Sequence, residues 1–193
     1  MMKKYLILML LVGVMVTSAQ AQILNGGFET GDFTDWWTWA AEPANQTMTV
    51  VTPLASEGNY SAELASATGT WSAQMGQSFA AVEGDLNLSF DYYADVPGDW
   101  GSLGVNLDYW DDLGVKHWLG WWSPFDGGPA PEPLTWVPVS LDYVLPAGTV
   151  SVDLKVEVAN WATVNLDNFV VVPEPATMVL LGLGGLLLRR RTK

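Results

Sequence analysis

Five aromatic side chains lie close together in the middle of the chain: Tyr109, Trp110, Trp118, Trp121 and Trp122. Flat aromatic rings of this kind stack on the apolar faces of sugar rings, and a binding site usually combines such walls with a few polar groups. Trp100, on the segment just before, is a further candidate for the same surface. The sequence therefore predicts a ligand-binding aromatic surface here, and the alternative is that these rings only pack in a core or protect a sheet edge.

The position of each ring relative to the sheet follows from alternation. In a strand, successive side chains point to opposite faces. Strict alternation along residues 117–122 puts Trp118 on the same face as Trp122, and it puts Trp121 on the other face with His117. One of these faces is expected to be buried and the other exposed, and the sequence leaves open which is which.

Catalytic residues are scarce. The chain has one histidine, His117, and no cysteine, so a Cys–His site is impossible and a serine triad would depend on that single imidazole. Pairs of carboxylates can hydrolyse glycosides. With 21 acidic residues in the chain, however, such pairs arise by chance. We therefore predict a non-catalytic protein, with a glycoside hydrolase or polysaccharide lyase as the less favoured alternative.

A concentration of aspartates precedes the aromatic hairpin and lies within it, at Asp95, Asp99, Asp108, Asp111 and Asp112. It lacks the regular ligand spacing of an EF-hand loop. The tetrapeptide at residues 111–114 (Asp-Asp-Leu-Gly) is typical of a turn between strands, with the glycine at the position that needs a positive φ. We predict a solvated turn here rather than a metal site.

Alternation of apolar and polar residues with a period of two recurs along the body of the chain. It is clear in residues 86–92, 103–109 and 150–158, where Val150, Val152 and every second residue after them are expected to point inward. Looser alternation follows in residues 136–143 and 164–172. Gly, Pro, Asp and Asn separate these runs at sandwich-like intervals. We predict an all-β domain of eight or nine antiparallel strands in two packed sheets.

The charge of this body limits its partners. Residues 22–172 contain twenty acids and only two bases, Lys116 and Lys155, a formal net charge of −18. Such a surface excludes nucleic acid as a partner and repels anionic membranes. All eleven tryptophans lie in this part of the chain, more than a core of this size needs, so several should be exposed.

The N-terminal residues are typical of an export signal. Lys3 and Lys4 precede an apolar run over residues 5–16, and Ala19 and Ala21 occupy the small positions that signal peptidase reads. We predict a signal peptide over residues 1–21. Because the chain has no cysteine, it cannot be acylated as a lipoprotein.

The C-terminal residues form a second three-part pattern. Pro173, Glu174 and Pro175 precede an apolar run at residues 176–188, and a basic end follows at Arg189, Arg190 and Arg191. Thirteen residues make a helix of about 20 Å, short of a bilayer core of about 30 Å. The run could span only with bilayer thinning or snorkelling arginines. We expect a short hydrophobic helix that contacts the membrane, with the arginines on the cytoplasmic side.

This tail resembles the PEP-CTERM sorting signal of bacterial exported proteins. The resemblance implies recognition by an exosortase, a transpeptidase-like membrane enzyme that cuts at or near Pro-Glu-Pro. The predicted organisation is therefore a signal peptide at 1–21, a β-sandwich at 22–172 and a sorting segment at 173–193. The protein is expected in the cell envelope or outside the cell, anchored transiently or permanently at its C-terminus.

The body carries a second resemblance. Residues 25–29 (Asn-Gly-Gly-Phe-Glu), 56–64 (Ser-Glu-Gly-Asn-Tyr-Ser-Ala-Glu-Leu) and 166–170 (Leu-Asp-Asn-Phe-Val) follow one another as in the carbohydrate-binding jelly rolls of the galactose-binding-like superfamily. In that family a structural calcium commonly ties the first strand to the last. The resemblance implies Glu29 and Asp167 as its side-chain ligands, with further oxygens from Glu57 and Asn59. Calcium prefers such oxygen ligands. The alternative is that Glu29 caps a turn and Asp167 is solvated.

Together these patterns predict an exported, non-catalytic β-sandwich that binds carbohydrate or extracellular polysaccharide through exposed tryptophans. The alternative from a different class is a structural matrix or surface protein with no specific glycan ligand.

Overall fold

The computed structural model describes residues 21–67, 69, 72–95, 102–124 and 134–173. This part of the chain forms ten strands: β1 (Trp37–Ala40), β2 (Gln46–Val51), β3 (Ser61–Ser66), β4 (Ala73–Ala80), β5 (Gly84–Asp95), β6 (Ser102–Asp111), β7 (Lys116–Trp122), β8 (Trp136–Leu145), β9 (Thr149–Ala159) and β10 (Thr163–Pro173). They make two five-stranded sheets, sheet 1 in the order β1-β4-β9-β6-β7 and sheet 2 in the order β2-β3-β10-β5-β8. Every neighbouring pair is antiparallel. The predicted antiparallel sandwich is confirmed, with slightly more strands than expected.

The core lies between the two sheets, and alternation decides which side chains enter it. Along β5, Leu86, Leu88 and Phe90 are at most 1% exposed, and the residues between them face outward. On β9, Val152 and every second residue up to Val158 are fully buried. Burying such apolar side chains stabilises the fold by about 1.5–3 kcal/mol each. The same alternation leaves the outer face of each sheet polar and free to carry a site.

Val150 departs from the predicted pattern. Trp110 pairs with Ser151, but the next residue of β6, Asp111, pairs with Thr149, so Val150 has no partner on β6. A bulge of this kind rotates the extra residue out of the regular alternation. Val150 is consequently 48% exposed, and the expectation that it points inward is wrong.

The segment before β1 closes one end of the core with aromatic rings. Phe28 is fully buried, and its ring lies 5.4 Å from Trp36 and 6.3 Å from Phe169 of β10. The backbone N–H of Phe169 donates to the carbonyl of Gly26 at 3.0 Å. These contacts tie residues 25–29 to the last strand and bring Glu29 close to Asp167.

Candidate functional site

The β6–β7 hairpin carries the aromatic residues that the sequence singled out, and its register contains a bulge. Leu107 pairs with Gly120, but the next residue of β6, Asp108, pairs with Trp118. Leu119 is therefore an extra residue in β7, and the alternation of side chains shifts by one position there.

This shift changes which tryptophans share a face. Trp118 and Trp121 both lie on the outer face of sheet 1, with 68% and 41% of their surfaces exposed. Trp122 turns inward, where its ring packs against Phe90 at 5.5 Å and Tyr92 at 5.8 Å. The expectation that Trp118 shares a face with Trp122, and not with Trp121, is wrong because strict alternation does not survive the bulge.

The opposite edge of sheet 1 carries two more tryptophans that the sequence analysis did not select. Trp37 and Trp39 on β1 are 43% and 48% exposed. A side chain at Gly76 on the neighbouring strand would collide with the Trp37 ring, and one at Gly104 would collide with the Trp121 ring. Each edge thus holds a tryptophan ring laid over a glycine, and the spacing of two residues between Trp37 and Trp39 is the signal that could have found the second edge.

One cross-strand row connects the two edges. Trp37 pairs with Gly76, which pairs with Lys155, then Asn106, and finally Trp121. Four strand spacings of about 4.8 Å make this row about 19 Å wide. We call this outer surface of sheet 1 the tryptophan face; it comprises Trp37, Trp39, Trp110, Trp118, Trp121 and the polar side chains between them.

The middle of the tryptophan face is a network of hydrogen-bonding groups. Lys155 Nζ lies 3.0 Å from Glu157 Oε2. Gln74 Nε2 donates to the same carboxylate oxygen at 3.4 Å. The indole N–H of Trp118 donates to Asn106 Oδ1 at 3.1 Å. Donors and acceptors therefore alternate across the floor between the two tryptophan edges.

A second network fixes Trp110 at one end of the tryptophan face. Its indole N–H donates to Asp153 Oδ2 at 2.9 Å, and Lys116 Nζ lies 3.0 Å from both Asp153 and Asp108. The ammonium also lies 5.8 Å from the centre of the Trp110 ring. Partial burial opposes the charged form of Lys116, but its bonds to Asp153 and Asp108 outweigh burial and raise its pKa. Lys116 therefore remains charged and holds the ring in place.

Tyr109 and His117 lie outside the tryptophan face. Their rings stack at 4.8 Å, and Tyr109 packs against the core. His117 Nε2 lies 2.9 Å from Asp111 Oδ2, and this hydrogen bond is the main reason that the pKa of Asp111 is lowered. The other oxygen of Asp111 accepts the backbone N–H groups of the following turn, where Gly114 has a φ of 76° as the sequence predicted.

The predicted metal ligands meet at the end of sheet 2. A Cβ atom placed on Gly27 would lie 3.7 Å from Asp167 Oδ1 and 3.8 Å from Glu29 Cγ, so the Asp167 carboxylate and the Glu29 side chain both lie beside this glycine. Glu29 accepts the backbone N–H groups of Asn59 and Tyr60 at 2.9 and 3.2 Å. The Asn59 bond is the largest cause of the lowered pKa of Glu29.

Asp167 is fully buried, so the alternative that it is solvated is wrong. Its Oδ2 accepts the backbone N–H groups of Ser56 at 2.8 Å and Glu57 at 3.1 Å, and its Oδ1 accepts that of Asn168 at 2.7 Å. Burial is the largest influence on its carboxyl and raises its pKa; the three N–H donors act in the opposite direction, and the negative charge of Asp91 adds to the increase.

This arrangement decides which groups are available to coordinate a calcium ion. Glu57 donates its backbone N–H to Asp167, and Asn59 donates its backbone N–H and its side-chain amide to Glu29. Within the described ranges, no group of three or more His, Cys, Asp or Glu residues is arranged to hold a metal ion. Glu29 and Asp167 are a suitable anionic pair for a hard cation, but the remaining ligands would be backbone carbonyls and water.

The sorting residues lie at the two ends of the described chain. Ala21 is buried and Pro173 is the last residue of β10, paired with Leu86. The other predicted sorting residues lie outside the described residues: Ala19, Glu174, Pro175, Arg189, Arg190 and Arg191. Trp100 of the predicted aromatic surface is outside them as well. No helix within the described portion is long and apolar enough to cross a membrane.

The fold is shared with several solved structures. The enzymatically active domain of tailspike protein 4 from bacteriophage CBA120 superposes with a TM-score of 0.63 at 14% identity, over 79% of this chain and 21% of the tailspike chain. This chain thus spans about a fifth of the tailspike. TmCBM61 in complex with β-1,4-galactotriose gives 0.55 at 18% identity, over 80% and 99% of the two chains. The CBM22-1 xylan-binding domain of Paenibacillus barcinonensis Xyn10C gives 0.54 at 15% identity, over 82% and 97%.

At the level of sequence, no curated protein matches the chain. The PEP-CTERM protein-sorting motif matches residues 171–191. This confirms the sorting signal expected from Pro-Glu-Pro, the apolar run and the arginines, and it implies export and processing by an exosortase. The family described as Carbohydrate binding domain matches residues 20–163, most of the chain, and the sandwich and its tryptophan face agree with that match. The chain therefore belongs to the Carbohydrate binding domain family and carries a PEP-CTERM sorting motif at its C-terminal end.

Proposed function

We propose that the tryptophan face binds an extended polysaccharide chain and that the protein performs no catalysis on it. The observation that carries this proposal is the pair of aromatic edges about 19 Å apart, with hydrogen-bonding side chains between them. Trp37 and Trp39 stand on one edge, and Trp118 and Trp121 on the other. The width suits several consecutive sugars rather than one, because rings at both edges must be reached by the same chain.

The charges of the face favour a neutral glycan. Both bases of residues 22–172, Lys116 and Lys155, lie on this face and pair with Asp108, Asp153 and Glu157. Each pair offers a donor and an acceptor side by side, the combination that sugar hydroxyls need. An acidic polysaccharide would meet the −18 charge of the body and would need bridging divalent cations. Xylan and β-1,4-galactan are the first ligands to test, since two of the similar structures are a xylan-binding domain and a galactotriose complex.

The sorting signals define where this binding would be used. Removal of residues 1–21 by signal peptidase and processing of the tail by an exosortase would leave an exported, strongly acidic domain. Before processing, the apolar run at residues 176–188 would contact the membrane. The product would be retained in the envelope or released into extracellular polymer, where it would hold polysaccharide.

The decisive experiment measures glycan binding by the purified protein and two edge variants. Trp37→Ala/Trp39→Ala and Trp118→Ala/Trp121→Ala should each weaken binding to xylan or galactan by about tenfold or more, a loss of about 1.4 kcal/mol or more for the two rings removed. Val144→Ala is the matched control, because Val144 is 70% exposed on the outer face of sheet 2. Absence of binding to every glycan on an array would contradict the proposal and favour the structural matrix alternative. Release of products from the polysaccharide would contradict the non-catalytic assignment.

A structural calcium at Glu29 and Asp167 is a separate part of the proposal. The two carboxylates supply negative charge beside Gly27 and join the N-terminal loop to the last strand. A cation there would stabilise the fold without touching the tryptophan face. Glycan binding measured with calcium and with EDTA separates the two, since a purely structural ion should change the melting temperature more than the affinity.

A further inference from the structure

A tight turn over residues 159–162 connects β9 of sheet 1 to β10 of sheet 2, closed by the N–H of Ala162 donating to the carbonyl of Ala159 at 3.3 Å. Asn160 and Trp161 both have left-handed backbones, with φ values of 56° and 59°. Turns with both central residues left-handed are dominated by Gly, Asn and Asp, and glycine fits because it has no Cβ to clash. A bulky residue with a positive φ is an outlier that the surrounding structure must support. Such strain is commonly kept where a side chain has a function.

The ring of Trp161 is supported from one side and open on the other. An ideal Cβ at Gly69 would lie 2.6 Å from Cη2 and 2.8 Å from Cζ3 of the indole, so only glycine lets the ring come this close. At the same time the side chain is 57% exposed. The indole is therefore held against the backbone and presented to solvent.

The turn itself contains no charged residue, although the body is strongly acidic. Residues 158–166, which contain the turn, include no Asp, Glu, Lys or Arg, and neither do residues 64–82, which contain Gly69. The nearest charged residue in the paired strands is Asp95 of β5, which pairs with Thr163. An exposed indole on a turn that has no charged residue of its own suits the apolar face of a neutral sugar ring.

Trp161 lies outside the tryptophan face, in the turn that follows β9. Lys155, in the middle row of that face, is six residues from Trp161, a distance of at most about 22 Å along the chain. Trp161 itself belongs to none of the cross-strand rows that contain the four edge tryptophans. A long polysaccharide that lies across the face and then turns along β9 could reach Trp161, whereas a short oligosaccharide could not cover both.

We infer that Trp161 is a second sugar-stacking platform, so that the protein contacts one polysaccharide at two points. This inference rests on the proposed function and deepens it, because it assigns a second site for the same neutral glycan. Linking two contacts on one ligand makes the second intramolecular and raises the affinity for the polymer above that for a short chain.

The test compares polymer and oligosaccharide binding by the full protein. Trp161→Ala should weaken binding to soluble xylan or galactan on the order of tenfold, the effect of losing one of two linked contacts, and leave the affinity for the matching tetrasaccharide unchanged. Leu113→Ala is the matched control. Leu113 is 83% exposed at the β6–β7 turn, at the opposite end of β9, and its removal should change neither affinity.

A second variant separates binding from folding. Trp161→Gly removes the ring and also the left-handed strain, so its melting temperature should equal or exceed that of Trp161→Ala, while polymer binding is lost in both. Normal polymer affinity in both variants would overturn the inference, as would an equal loss for polymer and tetrasaccharide. If the unmodified protein binds polymer and tetrasaccharide equally well, the two-point contact is wrong but the tryptophan face stands. If it binds neither, both proposals fail.

Discussion

Replacing Asp167 tests how residues 52–60 are held to the last strand. The carboxylate is fully buried and accepts three backbone N–H groups, from Ser56, Glu57 and Asn168. A hydrogen bond to a charged group contributes about 1.5–3 kcal/mol, so a simple sum would be about 5–9 kcal/mol. The actual loss should be smaller, because the exposed loop can rebind water and because removing the charge also removes its desolvation cost.

We therefore expect Asp167→Ala to lower the free energy of unfolding by about 3–5 kcal/mol, in the range for breaking a buried charged network. Asp167→Asn keeps the shape and one acceptor oxygen, but its amide N–H₂ must face at least one backbone donor. The free energy of unfolding of Asp167→Asn should fall by an intermediate amount, about 1–3 kcal/mol. Asp142→Asn, at an exposed residue of β8, is the control and should change stability by no more than about 0.5 kcal/mol.

The assay is urea unfolding in EDTA, followed by tryptophan fluorescence. Amide hydrogen exchange provides a local readout, since the N–H groups of Ser56 and Glu57 should lose protection in Asp167→Ala before the core strands do. A loss below about 1 kcal/mol in Asp167→Ala would refute the reasoning, because it would mean that the three bonds contribute no more than one ordinary hydrogen bond. Equal losses in the Ala and Asn variants would show that shape, and not acceptance of N–H groups, is what the site needs.

Three further predictions concern protonation, ring placement and calcium. Burial raises the folded-state pKa of Asp167 above its ordinary 3.8, so the folded protein takes up this proton before the unfolded chain does. In EDTA the free energy of unfolding of the wild type should therefore rise relative to that of Asp167→Asn as the pH falls from about 7 toward about 4. If urea unfolding gives the same difference between the two proteins at every pH, this prediction is wrong. Gly104→Val should push the Trp121 ring off its strand and reduce xylan or galactan affinity in calorimetry as much as Trp121→Ala does; an unchanged affinity would mean that this ring is not part of the site. Calcium should raise the melting temperature of the wild type but not of Glu29→Gln, and a flat calcium titration of the wild type would exclude the metal.

The regular parts of the sandwich were predictable because their side chains alternate without interruption. Along β5 and β9 the apolar residues occupy every second position, and the structure buries the predicted set from Val152 to Val158. An antiparallel sheet with one face on the core requires this pattern. Strand pairing and sheet order, by contrast, depend on contacts between residues far apart in sequence.

The bulges could not be predicted, and they change the site. An extra residue at Leu119 costs the ladder one regular pair, and nothing in the local residue types identifies it. It brings Trp118 and Trp121 to one face and leaves Trp122 in the core. Strict alternation identified the right hairpin, but it assigned its tryptophans to the wrong faces.

Strand β1 carries tryptophans that the predicted binding surface did not include, and the reason is different. It is only four residues long, and its pattern of Trp-Thr-Trp-Ala is exposed along most of its length. A short edge strand buries too little to show a hydrophobic face, so the usual signal of a half-buried strand is absent. Its tryptophans supply half of the aromatic residues at the edges of the tryptophan face.

The end of β10 has a mechanical consequence. Pro173 is both the last paired residue of this interior strand and the first proline of the sorting motif, so hardly any slack separates the folded domain from the tail. Tension applied at the tail therefore runs directly along the strand. Inter-strand hydrogen bonds of antiparallel sheets are perpendicular to the strands. Such a pull shears the β10–β5 ladder as a whole instead of peeling it open bond by bond, and the load passes through the core to sheet 1, which carries the tryptophan face.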